Sequence, residues 1–295
     1  MSDPRRNQTF HLKRACTLSR AVDEGPCLSV VYGGGGGCTL DWNGGVSAVW
    51  IPLHGCLQVQ CAGLGWNVYT GEALVTEYDA SVRAVGHADG RWLALLGSKR
   101  VWEQVLSPGT AARATLLPDL YKADRELRRL AIAVVRATQP AQLDGAMNAL
   151  MDRLDVLQAP LREAIARCPG RTWANKRQVF MRLQRVHNYV CACCDQELDV
   201  DMLARMANYS PCHFLRIFHL VYQTTPHAYL VDRRLQRARR LLHASSLTVT
   251  EVAVACGFEN RGAFSRLFHR HFGMTAQEVM LQSRTPAPAL EQIAA

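Results

Sequence analysis

Two arginines stand in matching surroundings at an offset of fifty residues: Arg216 within Phe214-Leu215-Arg216-Ile217-Phe218, and Arg266 within Phe264-Ser265-Arg266-Leu267-Phe268. Phenylalanines four apart share one face of a helix, so the arginine between them is carried on another. Its planar guanidinium presents a fork of donors that fits guanine O6 and N7, a phosphate, or a carboxylate. A phosphate contact or a salt bridge is the plainer alternative to a base contact for each. The same two exposed faces carry Cys212, His213, Leu215 and His219 in one segment, and Asn260, Arg261, Ala263 and His269 in the other. Cys212, His213, Asn260 and Ala263 fall near the helix starts, where a helix lying in the DNA major groove meets base edges. His219 and His269 come a turn later, nearer to phosphate.

Other chemistry finds less support. Cys191-Ala192-Cys193-Cys194 offers thiols, but a zinc site takes paired ligands from two segments and no second cluster follows at such a spacing. These cysteines read as packing residues, with a metal or redox sensor as the alternative. The run Gly33–Gly37 lacks the lysine and Ser/Thr of a phosphate loop and reads as a flexible hairpin turn. Between residues 28 and 96 only His54 and His87 occur, without a His-x-His pair, so a metal-dependent barrel enzyme is not expected. No catalytic residue, metal or cofactor is assigned.

The elements that must position these side chains come in two copies. Leu203-Ala204-Arg205-Met206-Ala207-Asn208-Tyr209-Ser210 precedes the first arginine segment, and Tyr222-Gln223-Thr224-Thr225-Pro226 follows it. Val252-Ala253-Val254-Ala255-Cys256-Gly257-Phe258-Glu259 precedes the second, and Phe272-Gly273-Met274-Thr275-Ala276 follows it, with one extra residue in the turn. Each copy reads as helix, tight turn, helix. Asp199 is an expected N-cap, and Asn208 tolerates a left-handed turn; Ser210 then caps a helix that has Pro211 in its first position. In the second copy Thr248 and Glu251 have capping-box spacing, and Gly257 supplies the turn. A helix from about Pro226 to His243 joins the copies. Val231, Leu235, Ala238 and Leu242 form its apolar stripe, and Arg233, Arg237 and Arg240 are candidates for phosphate contacts.

Composition agrees with this reading. The 295-residue chain carries a formal net charge of +9, and residues 171–283 hold 15 Arg/Lys against 8 Asp/Glu, a local balance of +7. Such asymmetry favours a polyanionic partner for that segment. The N-terminal residues have no apolar core, so no secretory leader is expected, and no run is long enough to span a membrane. The eleven cysteines then read as reduced thiols in the cytoplasm.

The pair of copies and the helix between them resemble the AraC/XylS family of transcriptional regulators. The likeness covers about 180–282 and is most specific at Val252-Ala253-x-x-Cys256-Gly257-Phe258, Phe264-Ser265-Arg266-x-Phe268 and Phe272-Gly273-Met274-Thr275. It implies that two recognition helices enter successive major-groove segments of double-stranded DNA. It also implies contact with RNA polymerase, activation as the usual sign, and an N-terminal domain that binds a small-molecule effector or forms a homodimer. Three residues depart from the family pattern. Gly262 offers no side chain to a base, Ala276 replaces a usual proline, and Leu215 stands where a polar reader is common, which suits a thymine methyl.

The resulting expectation is an α+β chain. Residues 1–118 form a cupin-like β-barrel for sensing or dimerisation. Short strand-like runs from Leu28 to Leu96 support it, and Trp42, Trp50, Trp66 and Trp92 serve as core or line a ligand pocket. Residues 119–170 form middle helices for connection and dimerisation, with apolar stripes over 121–157. Residues 171–283 form the all-α double helix-turn-helix domain, and 284–295 a flexible tail. The rival reading is an enzyme or metal/redox sensor with an appended DNA-binding domain.

Overall fold

The computed structural model describes residues 8–13, 16–21, 28–106 and 116–284. The chain divides into two compact units, Met1–Ala166 and Arg167–Ala295.

The first unit is a nine-stranded sheet with helices packed on it: β1 (Gln8–Leu12), β2 (Thr17–Ala21), β3 (Ser29–Gly34), β4 (Thr39–His54), β5 (Cys56–Cys61), β6 (Leu64–Tyr69), β7 (Glu72–Gly86), β8 (Arg91–Gly97), α1 (Lys99–Leu106), β9 (Asp119–Lys122), α2 (Arg125–Arg136), α3 (Pro140–Leu157) and α4 (Ala159–Arg167). The strand path is β1-β3-β8-β4-β7-β5-β6, with β2 on β4 and β9 on β7. Among the described residues no ladder joins β1 to β6, so the sheet is open rather than a closed barrel.

The long strands β4 and β7 work in halves. Thr39–Asn43 of β4 pairs with β2 and with the end of β7, whereas Ser47–His54 pairs with β8. The register shifts between Asn43 and Ala48, where Gly44 has a φ of +122° that its missing Cβ permits. The first half alternates, with Leu40 and Trp42 buried against half-buried Thr39 and Asp41. The second half is buried on both faces from Ala48 to Leu53. Helices cover its outer face: Trp102 of α1 donates to the Ser47 carbonyl at 2.8 Å, and Arg128 of α2 donates to that of Leu53 at 3.0 Å.

The glycine run is not merely a turn. Gly33 and Gly34 lie in β3, and a Cβ on Gly33 would sit 2.1 Å from the Trp92 indole, which fills the space above it. Trp50 and Trp92 are fully buried, and Trp42 and Trp66 nearly so.

Residues 119–122, placed by sequence texture at the start of the helical region, instead form β9 against Glu72–Val75. The apolar stripes of 121–157 become internal packing. Leu127, Ala131 and Val134 of α2 and Met147, Leu150, Met151 and Leu154 of α3 are buried. Asp124 caps α2, accepting from Leu127 N at 2.8 Å, and is paired with Arg153 of α3. Buried Gln158, between α3 and α4, accepts from Leu117 N at 2.6 Å. Residues 285–295 of the expected tail lie outside the described residues; Arg284 ends a helix.

The second unit is all helical: α5 (Trp173–Ala192), α6 (Val200–Met206), α7 (Pro211–Tyr222), α8 (Pro226–Ala244), α9 (Val249–Ala255), α10 (Arg261–Phe272) and α11 (Ala276–Arg284). No helix among the described residues is long and apolar enough to cross a membrane.

Candidate nucleic-acid interface

The two turns are built alike. Asn208 has a φ of +58° and Gly257 of +78°. In each copy an amide reaches back five residues: Tyr209 N to the Ala204 carbonyl at 2.9 Å, and Phe258 N to that of Ala253 at 3.0 Å. These bonds satisfy carbonyls that the end of the first helix leaves without partners, and they set the angle at which the next helix leaves. That helix ends in the left-handed region in both copies, at Gln223 (φ 56°) and Gly273 (φ 71°).

Rings anchor the helices from inside. Phe214 and Phe218 of α7, and Phe264 and Phe268 of α10, are fully buried. Their centroids are 5.6 Å and 5.4 Å apart within each pair. The stripe of α8 contributes buried Leu235, Ala238 and Leu242 to the second core, with Val231 partly buried.

The opposite faces are open. Cys212, His213, Leu215, Arg216 and His219 of α7 are all exposed. So are Arg261, Arg266 and His269 of α10 and its cap Asn260, while Ala263 is half-buried. Of the residues proposed from sequence for base or phosphate contact on these two helices, all but Ala263 are therefore exposed. Asn260 has a second duty: its side-chain oxygen accepts from Ala263 N at 3.0 Å. A Cβ at Gly262 would approach that oxygen to 3.2 Å, so glycine there leaves the cap undisturbed. His213 packs beside Tyr209 at 4.7 Å.

Sequence reading passed over Arg270. It is exposed on α10, four residues and so one turn beyond Arg266. That spacing was the available signal.

The arginines of α8 face protein more than their spacing suggested. Arg233 pairs with Asp232 at 3.4 Å and lies over the Tyr229 ring at 5.1 Å. Arg237 pairs with Asp195 at 3.2 Å. Arg240 is half-buried. Arg239, exposed, stacks on Phe272 at 5.1 Å. Arg234, also passed over, donates to the carbonyls of Cys194 at 2.7 Å and Gln196 at 2.9 Å.

The cysteine cluster is set into this packing. Cys191 and Cys193 are half-buried and Cys194 is buried. Burial pushes the Cys193 and Cys194 thiols above their ordinary value, and that of neighbouring Cys256 up to about 12. These thiols are protonated at neutral pH, which disfavours thiolate chemistry.

The same region is similar to known proteins. Residues 203–282 match the family model described as a helix-turn-helix domain. The HTH-type transcriptional regulator GbdR of Pseudomonas aeruginosa is 32% identical over 97 residues, 33% of this chain and 26% of that protein. The HTH-type transcriptional activator RhaS of Shigella boydii is 44% identical over 69 residues, 22% of this chain and 25% of that one. A solved transcriptional regulator of the AraC-type DNA-binding class from Chromobacterium violaceum is 28% identical, covering 39% of this chain and 99% of its own, with a TM-score of 0.34. The chain spans about a quarter of the length of the first of these relatives.

Proposed function

We propose, on the premise that residues 203–282 are an AraC/XylS-type helix-turn-helix domain, that this chain is a sequence-specific transcriptional regulator. It binds double-stranded DNA by laying α7 and α10 in successive major-groove segments. One observation carries the reading: the two helices present equivalent exposed faces, with Arg216 and Arg266 at matching positions over buried phenylalanine pairs. A helix offering arginine on its open face suits guanine edges and phosphates. Arg261 and Arg270 add charge to the α10 face, within a segment of net charge +7.

The finer assignments belong to the same reading. Regulation is activation through contact with RNA polymerase in the cytoplasm, without catalysis by this chain. The N-terminal unit is a cupin-like sensing domain, its long strands β4 and β7 each pairing with three others. The tryptophans are taken up by the core, whereas an open groove of about 560 Å³ lies between Asp41, Gln60 and Arg83 on one part of its lining and Cys61, Leu64 and Val82 on another, and is the candidate effector site. Homodimerisation rests on the family resemblance, since the stripes of α2 and α3 pack within their own unit.

Selection of bound fragments from genomic DNA by the purified protein, at one fixed salt concentration, tests the reading. The expected result is one motif with two half-elements about a helical turn apart. Absence of any preferred sequence, with and without cell extract as a source of effector, would overturn it.

A further inference from the structure

We infer that Arg234 is a positioning residue that fixes the spacing between the two recognition helices. The inference rests on the reading of α7 and α10 as DNA-binding helices. Arg234 lies on α8, which joins the two copies, and its side chain reaches both. Its Nε donates to the Cys194 carbonyl at 2.7 Å and its Nη2 to the Gln196 carbonyl at 2.9 Å. Those carbonyls follow the C-terminal end of α5 and lead into α6. Loop carbonyls have no helix or sheet ladder to supply their donors, so a two-pronged donor suits them.

The same guanidinium also lies beside the second copy. It lies 5.9 Å from the centre of the Phe258 ring, in the turn between α9 and α10. A Cβ at Gly257 would stand 3.0 Å from the guanidinium and 2.8 Å from the Asp195 carbonyl. The loop before α6 and the turn before α10 are therefore close neighbours, with the Arg234 guanidinium beside both. Gly257 has two reasons to be glycine: its φ of +78° and this lack of space. Arg237, one turn along, ties the same loop through Asp195 at 3.2 Å.

A duplex presents its half-elements at a set distance and rotation, so a rigid spacing between the two helices becomes a specificity. Removing Arg234 loosens the first copy on α8, leaving the Arg237–Asp195 pair as the remaining tie. Specificity for the distance between half-elements then falls while base reading within each half survives.

Two readouts test this. In the free protein, spin labels on unnatural ketone side chains at exposed Leu220 and Ser265 report the distance between α7 and α10. Wild type is expected to give one narrow distribution. Arg234→Ala broadens it, and Arg234→Lys, which keeps the charge and loses the fork, broadens it less. An unchanged width in both variants overturns the inference whatever the DNA results, and a variant whose circular dichroism shows misfolding is replaced by the other. On DNA, sites with one base pair inserted or removed between half-elements are compared with the selected spacing. Wild type discriminates, and Arg234→Ala is expected to reduce the discrimination about tenfold with no change in the slope of log affinity against log salt. An equal loss at all spacings overturns the inference, and a slope reduced by about one would reassign Arg234 to a phosphate. A wild type that selects no bipartite site overturns the DNA-binding reading and leaves the label distances to decide the clamp.

Discussion

In the first helix-turn-helix copy, α7 closes against α5 through a polar cluster; in the second, Phe264 and Phe268 of α10 close on an apolar core shared with Leu235, Ala238 and Leu242 of α8 and Val279 and Met280 of α11. Tyr222 ends α7 and donates to Gln184 of α5 at 2.9 Å, a glutamine with no exposed surface. His187 stacks between Tyr222 and Tyr229, at 4.7 Å and 4.1 Å. The equivalent of Tyr222 in the second copy is Phe272, packed on Phe268 at 4.7 Å, and Phe218 meets Tyr222 at 4.6 Å. The Tyr222 hydroxyl and its buried acceptor have no counterpart at Phe272, which instead lies under Arg239 at 5.1 Å. Caps differ as well. Asp199 and Ser210 make no side-chain cap bond, whereas Thr248, Asn260 and Thr275 all do, and Glu251 and Glu278 return bonds to the Thr248 and Thr275 amides at 2.7 Å. The same external shape is thus held by different means. A buried polar group is tolerated wherever its partner is present, and an open helix end is tolerated where proline, here Pro211, removes one unmet donor.

The largest expected effects test whether the copies stand separately. Phe214→Ala and Phe264→Ala should each cost about 3–5 kcal/mol in denaturant unfolding of the C-terminal unit. Amide exchange should speed up mainly in α6 and α7 for the first variant, and in α9 and α10 for the second. Uniform loss of protection in either would mean that one cooperative unit spans both copies.

Next comes the polar cluster. Gln184→Leu should cost about 1–3 kcal/mol, because buried Gln184 accepts from the half-buried Tyr222 hydroxyl and the variant removes that bond. Adding Tyr222→Phe, which copies the second arrangement, should restore most of that loss. If Gln184→Leu alone is neutral, the cluster is not what holds α7.

Caps give smaller differences. Thr248→Ala and Thr275→Ala should each cost about 1 kcal/mol. Ser210→Ala should stay within about 0.5 kcal/mol, since no cap bond is lost. Equal costs at all three sites would erase the contrast.

Acid should find the same asymmetry. Hydrogen bonds from the Thr248 and Thr275 amides and hydroxyls hold the Glu251 and Glu278 carboxyls below their ordinary value of 4.5. A carboxyl lowered in the folded state stabilises fully above its unfolded value, and that contribution disappears as pH falls through the folded value. On titration from neutral towards acid, followed by NMR, amides at the starts of α9 and α11 should gain exchange before those of α7. Earlier loss in α7 would contradict the assignment of these caps.

The two copies were legible because their signals are local: phenylalanines four apart, a small or amide residue at each turn, and Thr-x-x-Glu ahead of α9. The exposed faces followed directly from that periodicity. Arg234 was not legible. It is one of five arginines on α8, and helical spacing tells which face each occupies but not which face a loop from another element will cover. Arg237 was read towards phosphate for the same reason, with Asp195 lying 42 residues earlier in the sequence. In the N-terminal unit the strand texture of residues 28–96 was readable, yet β1 and β2 fell in a polar stretch and β9 is only four residues long. Parallel pairing of β1 with β3 and of β2 with β4 depends on partners that no local pattern names.

The central claim is that each copy reads its own half of one DNA site through its own arginine. Double-mutant cycles test it most directly, pairing Arg216→Ala and Arg266→Ala with single base-pair substitutions across the selected motif at fixed salt. The account predicts a coupling of about 1–3 kcal/mol between each arginine and a base pair in one half, with different halves for the two arginines and additivity in the crossed pairs. Coupling of both arginines to the same half, or of neither to any base pair, would contradict it.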